Sequence, residues 1–194
     1  MAFINDKTKE VNLKVVYYGP PLCGKSTSLR YIYERVKENN RGELASLSTG
    51  HDRTLYFDFV PISLGKHKNY DIRLHLYTVP GEVAYQAARK IISKGVDGAV
   101  FLADSQLEKL EANLQSMMQF KEMVEESGEE FERLPVVFQY NKRDLPGAVK
   151  TDELRKLLNP RGLPDFETVA VKGQGVYEAF KAISKGVLKT LQGQ

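Results

Sequence analysis

Alternating strand-like and helix-like segments predict an α/β fold: a mostly parallel sheet with helices on both faces and an antiparallel hairpin at its edge. Two further observations agree. Residues 98–104 and 135–140 are short, nearly all-apolar runs, as strands buried on both faces require. A glycine-framed turn at residues 19–26 separates a β-branched run from a helical stripe, the order strand, turn, helix.

Each element follows from its own pattern. Residues 11–18 are rich in β-branched and aromatic side chains and stop at Gly19-Pro20-Pro21. Leu29, Ile32 and Val36 mark a helix over residues 25–39. Residues 55–60 read as a strand. So do residues 72–79, where Ile72, Leu74 and Leu76 alternate with Arg73, His75 and Tyr77. These two strands are expected to form the hairpin, with residues 65–69 as its turn. A helix is expected over residues 83–94, then the buried strand 98–104. Leu107, Leu110, Leu114, Met117 and Met118 form one apolar stripe of the next helix, with the methionines as core filler. After the strand 135–140, a short helix over 151–158 takes Thr151 as N-cap. A last strand over 166–171 precedes a closing helix marked by Val176, Phe180, Ile183, Val187 and Leu191. With no linker, repeat or low-complexity tract, residues 1–194 are expected to be one domain.

The 194 residues are 42% hydrophobic and 27% charged, ordinary globular values. Net charge is +3, from 28 basic and 25 acidic residues scattered among each other, which reads as a solvated surface and not a nucleic-acid patch. The single cysteine, Cys23, excludes a disulfide framework and a cysteine-based zinc site and suits a reducing, cytoplasmic compartment. The opening residues lack a signal-peptide pattern, and no apolar stretch approaches a membrane span. Ala2 and the ending Leu191-Gln192-Gly193-Gln194 match no lipidation motif, so membrane attachment is expected only through a partner. His51, His67 and His75 have no ligand spacing.

Gly19-Pro20-Pro21-Leu22-Cys23-Gly24-Lys25-Ser26 fits G-x-x-x-x-G-K-[ST] in the strand-turn-helix context that gives the motif meaning. Backbone N–H groups of such a loop, continued by Thr27, surround a β-phosphate at the positive end of the helix. Gly24 permits close approach, Lys25 reaches the β- and γ-phosphates, and Ser26 offers a hydroxyl to Mg²⁺. Cys23 is taken as a small packing residue. Asn141-Lys142-Arg143-Asp144 supplies the base specificity. It follows a buried strand at the edge where ligands bind in open α/β sheets. The Asp144 carboxylate suits guanine N1–H and its exocyclic amine, a donor pair adenine lacks. Lys142 is expected to lie along the purine, and Asn141 to tie this loop to the phosphate loop. Val171 and Lys172 stand where a backbone N–H could meet guanine O6.

These motifs, with Arg53-Thr54 and Thr78-Val79-Pro80-Gly81 between them, resemble the MglA family of bacterial Ras-like GTPases over nearly the whole chain. Supporting stretches are Val16-Tyr17-Tyr18-Gly19-Pro20, Asp52-Arg53-Thr54-Leu55, His75-Leu76-Tyr77-Thr78 and Gln139-Tyr140 leading into Asn141. Thr78 stands where most Ras-like proteins carry Asp. The resemblance implies a Ras-like P-loop NTPase fold with a six-stranded sheet and an extra edge strand. It implies a GTP-on, GDP-off switch for polarity or gliding motility, working as a monomer in the cytoplasm and recruited to a cell pole. Its implied partners are a roadblock-domain activator similar to MglB and a response-regulator protein similar to RomR. By the same resemblance, Thr54 would complete Mg²⁺ coordination with Ser26, Arg53 would be an arginine finger within the chain, and Gly81 would offer its N–H to the γ-phosphate. Asp58 would be an anion near Mg²⁺ replacing the charge missing at Thr78, or a strand-surface carboxylate.

Three positions depart from that pattern. Glu82 replaces a glutamine whose amide orients the attacking water. Its carboxylate loses a donor and adds charge beside a polyanion, a repulsion of about 3 kcal/mol per charge pair at about 5 Å and an effective dielectric near 20. Losing one such donor costs about 10²-fold in rate. Pro21 replaces glycine in the phosphate loop, and Ala84 replaces an aromatic at the activator surface. Slow hydrolysis is therefore expected. A GTP-locked scaffold is the alternative, and an ATP-dependent kinase is disfavoured by Asp144.

Overall fold

The computed structural model describes residues 3–47, 57–80, 92 and 94–192. Along the chain these form β1 (Phe3–Asn5), β2 (Glu10–Tyr18), α1 (Lys25–Arg35), β3 (Ala45–Leu47), β4 (Phe57–His67), β5 (Tyr70–Thr78), β6 (Gly98–Asp104), α2 (Leu110–Glu126), β7 (Val136–Asn141), α3 (Thr151–Leu158), β8 (Asp165–Glu167) and α4 (Val176–Gln192). All eight strands join one sheet in the order β3-β4-β5-β2-β6-β7-β8, with β1 paired to β2 off that path. The run from β5 to β8 is parallel, and the β1–β2, β3–β4 and β4–β5 pairs are antiparallel.

Alternation in β2 divides the core. Val11, Leu13, Val15 and Tyr17 join a cluster with Leu29 and Ile32 of α1 and with Val176, Phe180 and Ile183 of α4. Val16 and Tyr18 face the other way, toward Phe120 and Val124 of α2 and Leu154 of α3. Every residue of β6 and β7 is buried, as strands covered on both faces must be. Parallel neighbours end together, so the loops after β2, β6 and β7 gather along one edge.

The α/β architecture with a mostly parallel sheet and helices on both faces is as expected. Among the described residues the sheet has eight strands, where the resemblance implies six with an extra edge strand. β1 and β3 are three residues each, too short to carry a period of two. The hairpin turn is tighter than residues 65–69. His67 pairs with Tyr70, Lys68 and Asn69 both take positive φ (46° and 67°), and the register shifts between Ser63 and Gly65, so Gly65 belongs to a bulged strand. α1 stops at Arg35 because Val36 turns extended. Lys150, not Thr151, caps α3, and the Thr151 hydroxyl binds the Glu167 carboxylate. β8 ends at Glu167, and residues 170–172 form a single 3₁₀ turn. Most of the expected helix over 83–94, and residues 55 and 56, lie outside the described residues.

The stripe on α2 is also corrected. Leu110 and Met117 pack against the core as expected. Leu107 (66% exposed, in the 3₁₀ turn before α2), Leu114 and Met118 (63% exposed) face outward, and Asn113, Ser116, Phe120 and Val124 are the buried residues of the helix. Asn113 is buried because its amide brackets the end of β6, accepting from Asp104 N at 2.9 Å and donating to Asp104 O at 2.8 Å. A polar residue that satisfies backbone groups outranks an apolar one there.

Candidate functional site

The turn after β2 is shaped by two missing side chains. A β-carbon at Gly19 would stand 2.2 Å from the Leu102 carbonyl oxygen, and one at Gly24 would stand 2.3 Å from Asn141 Nδ2. Both also have φ in the positive region, 148° and 109°. Between them Pro21 and Leu22 are exposed, Leu22 with φ of 61°, while Cys23 is buried. Burial pushes the Cys23 thiol up, and the Lys25 ammonium opposes that shift. Lys25 is 8% exposed and folds into the turn, donating from Nζ to Gly19 O at 2.9 Å and Pro20 O at 2.8 Å. Ser26 and Thr27 follow, half-buried in the first turn of α1. That turn carries no acidic residue, so the positive end of the helix dipole is uncancelled.

Asn141, at the end of β7, joins three loops. Its Nδ2 donates to Cys23 O at 2.7 Å, and its Oδ1 accepts from Thr168 Oγ1 at 3.1 Å and Ala170 N at 2.9 Å. The gap left by Gly24 is what admits this amide. Lys142 then takes a left-handed backbone, φ 66°, and its Nζ lies 2.6 Å from Asp104 Oδ2. Arg143 is turned inward, its N–H donating to Thr168 O and its guanidinium to Val149 O at 2.5 Å. Asp144 is left exposed beside Leu145. In the 3₁₀ turn Ala170 is buried while Val171 and Lys172 project. Gly173 ends it at φ 71°, where a β-carbon would collide with the Tyr31 ring of α1.

A second polar cluster sits where β4 and β5 meet. Asp58 is buried, not on the strand surface. Its carboxylate accepts from Ser46 Oγ at 2.7 Å and Thr78 Oγ1 at 3.0 Å, while Asp58 N donates to Thr78 Oγ1 at 2.7 Å. Thr78 pairs in register with Tyr17, two residues before Gly19, so this carboxylate, on β4, lies two strands from β2, the strand that leads into the turn.

Gly19, Lys25, Ser26, Asn141, Lys142, Asp144 and Val171 thus come to one edge of the sheet. Arg53, Thr54, Gly81, Glu82 and Ala84 lie outside the described residues. Sequence reasoning passed over Asp104, Thr168, Tyr31 and Gly173. Asp104 had a signal, a carboxylate closing an otherwise apolar strand. The other three are recognised by contacts distant in sequence. Among the described residues no group of three His, Cys, Asp or Glu could hold a metal, and no helix is long and apolar enough to cross a membrane.

Comparison with known proteins agrees with this geometry. The model of the ADP-ribosylation factor family matches residues 4–187. The mutual gliding-motility protein MglA of Myxococcus xanthus (strain DK1622) is 52% identical over 192 residues, covering 99% of this chain and 98% of that protein. ADP-ribosylation factor-like protein 6 of Caenorhabditis elegans is 23% identical over 198 residues, covering 96% and 91%. The Ras-related protein Rab7 of Pisum sativum is 28% identical over 186 residues, covering 92% and 83%. The chain is a Ras-like GTPase that belongs to the ADP-ribosylation factor family and, within it, to the MglA family.

Proposed function

We propose that this GTPase is a guanine-nucleotide switch for cell polarity or gliding motility, slow to hydrolyse GTP and dependent on an activating partner. The observation that carries the nucleotide reading is the Asn141 side chain, which bonds both the phosphate loop and the 168–170 loop and leaves Asp144 exposed at the end of the assembly.

The phosphate tail is bound by residues 19–27, whose backbone curls around Lys25 and ends at the dipole of α1. Lys25 Nζ, held over the turn by Gly19 O, Pro20 O and the Cys23 thiol, exchanges these partners for the β- and γ-phosphates when nucleotide binds. Asp144 accepts two hydrogen bonds from guanine, the stem of Lys142 supports the ring, and the Val171–Lys172 backbone meets O6. Oxygen donors suit a hard cation, so Ser26 and Thr54 are the residues that would hold Mg²⁺, with the buried Asp58 carboxylate as the nearby anion. When bound, that ion neutralises charge on the phosphates. Arg53 acts on the transferring phosphoryl group, Gly81 senses the γ-phosphate, and Glu82 stands in the water-orienting position.

Isothermal calorimetry tests the binding half. Asp144→Asn should weaken GDP by 100-fold or more, about 3 kcal/mol, and improve xanthine nucleotides relative to guanine. An unchanged preference refutes it. Single-turnover assays test the second half, with Glu82→Gln expected to speed hydrolysis. A fast wild-type rate that the substitution leaves unimproved defeats the slow-turnover reading. Pro21, exposed in the phosphate loop, favours a second reading, a GTP-locked scaffold. Predominantly GTP in the purified protein would support it. A roadblock-domain activator similar to MglB, a response-regulator partner similar to RomR, a monomeric state and recruitment to a pole complete the proposal. The name of the Myxococcus relative supports the motility setting.

A further inference from the structure

The ion pair between Asp104 and Lys142 spans the ends of two neighbouring strands. Asp104 is 1% exposed and closes β6, in register with Asn141 at the end of β7. It is held from several sides. Its main chain is bracketed by Asn113, and its Oδ1 accepts from Gln106 N and Gln106 Nε2, both at 3.1 Å. Oδ2 faces Lys142 Nζ at 2.6 Å. Lys142 is 27% exposed and takes a left-handed backbone that a lysine does not choose unaided. That backbone turns the side chain back across β7 toward β6, and the fixed carboxylate holds its far end.

We propose that Asp104 is a positioning residue for guanine binding. By anchoring the ammonium it stretches the Lys142 stem into a preset apolar shelf for the purine, so the base meets an ordered surface. This rests on the reading that Lys142 lies along the base. A lysine side chain loses rotamer freedom worth up to about 2 kcal/mol when ordered, and a partner that orders it beforehand removes that cost from binding. A carboxylate is needed because a neutral acceptor would leave the half-buried ammonium without a countercharge.

A double-mutant cycle on the release of fluorescent GDP tests this, using the full chain with Asp104→Asn, Lys142→Met and the two combined. Asp104→Asn alone should speed release about tenfold. In the Lys142→Met background it should change release by less than about twofold. Equal acceleration in both backgrounds overturns the proposal, because Asp104 would then act on the fold and not through Lys142. No effect of Lys142→Met on release overturns the shelf itself, and with it this inference, while leaving the Asp144 reading standing. Should Asp104→Asn fail to fold, ¹⁵N spectra of the wild-type GDP complex decide. A slowly exchanging Lys142 ammonium supports the pair, and one exchanging like a free lysine overturns it.

Discussion

At Gly24 two demands meet that no other residue satisfies: a φ of 109° and room for the Asn141 amide. Gly24→Ala should displace Asn141 from Cys23 O and leave a buried carbonyl unpaired. We expect a loss of about 1–3 kcal/mol in chemical denaturation and at least tenfold weaker GDP binding. Wild-type stability in that variant would mean the asparagine amide does not bridge the two loops. Cys23 sits against the same bond. Its thiol is raised by burial and enclosed, so it should resist iodoacetamide at neutral pH in the folded chain and react after denaturation. Rapid alkylation of the native protein would contradict that.

α2 shows where pattern and packing part company. Its outward side carries Leu114 and Met118, and its inward side carries Asn113 and Ser116 before Phe120 and Val124. Phe120 stacks on Tyr18 at 4.7 Å and meets Phe131 edge-on at 5.5 Å. Phe120→Ala should therefore cost about 3–5 kcal/mol in urea unfolding, and Met118→Ala no more than about 0.5 kcal/mol. The reverse order would restore the stripe as the buried face. The strands fared better on the page of the sequence. β2, β5, β6 and β7 carry either clean alternation or unbroken apolarity, which the sheet environment alone explains. β1 and β3 are held by pairing across the chain, and three residues have no period to display; β8, expected over 166–171, is shifted to Asp165–Glu167. The site divides the same way. Local constraints, a glycine that must lack a side chain or an asparagine after a buried strand, leave a local mark. Asp104 and Gly173 owe their importance to Lys142 and Tyr31, which are far away in sequence.

On the scale of the molecule, the sheet places one titrating group between β5 and β2. His75 Nε2 meets Asn12 Oδ1 at 2.8 Å, and its ring stacks on Phe59. Burial lowers its pKa from 6.5, Arg73 lowers it further, and Glu10 opposes both. Above 6.5 the imidazole is neutral in both states and stability is full. As pH falls through 6.5 the unfolded chain takes the proton first, so native stability declines until the folded pKa is reached. The urea midpoint should drop between about pH 7.5 and 5.5, and His75→Gln should flatten that slope. A slope unchanged by the substitution would assign the effect elsewhere.

The Asn141 side chain ties the loop after β2 and the end of β7 to the segment after β8, so the proposed phosphate floor and base wall form one girder. Cleaving the terminal phosphate has little leverage on such a girder. On the proposed function, a difference between the two nucleotide states that a partner reads would be written on the opposite flank, toward β4 and β5, where Asp58 and Thr78 meet.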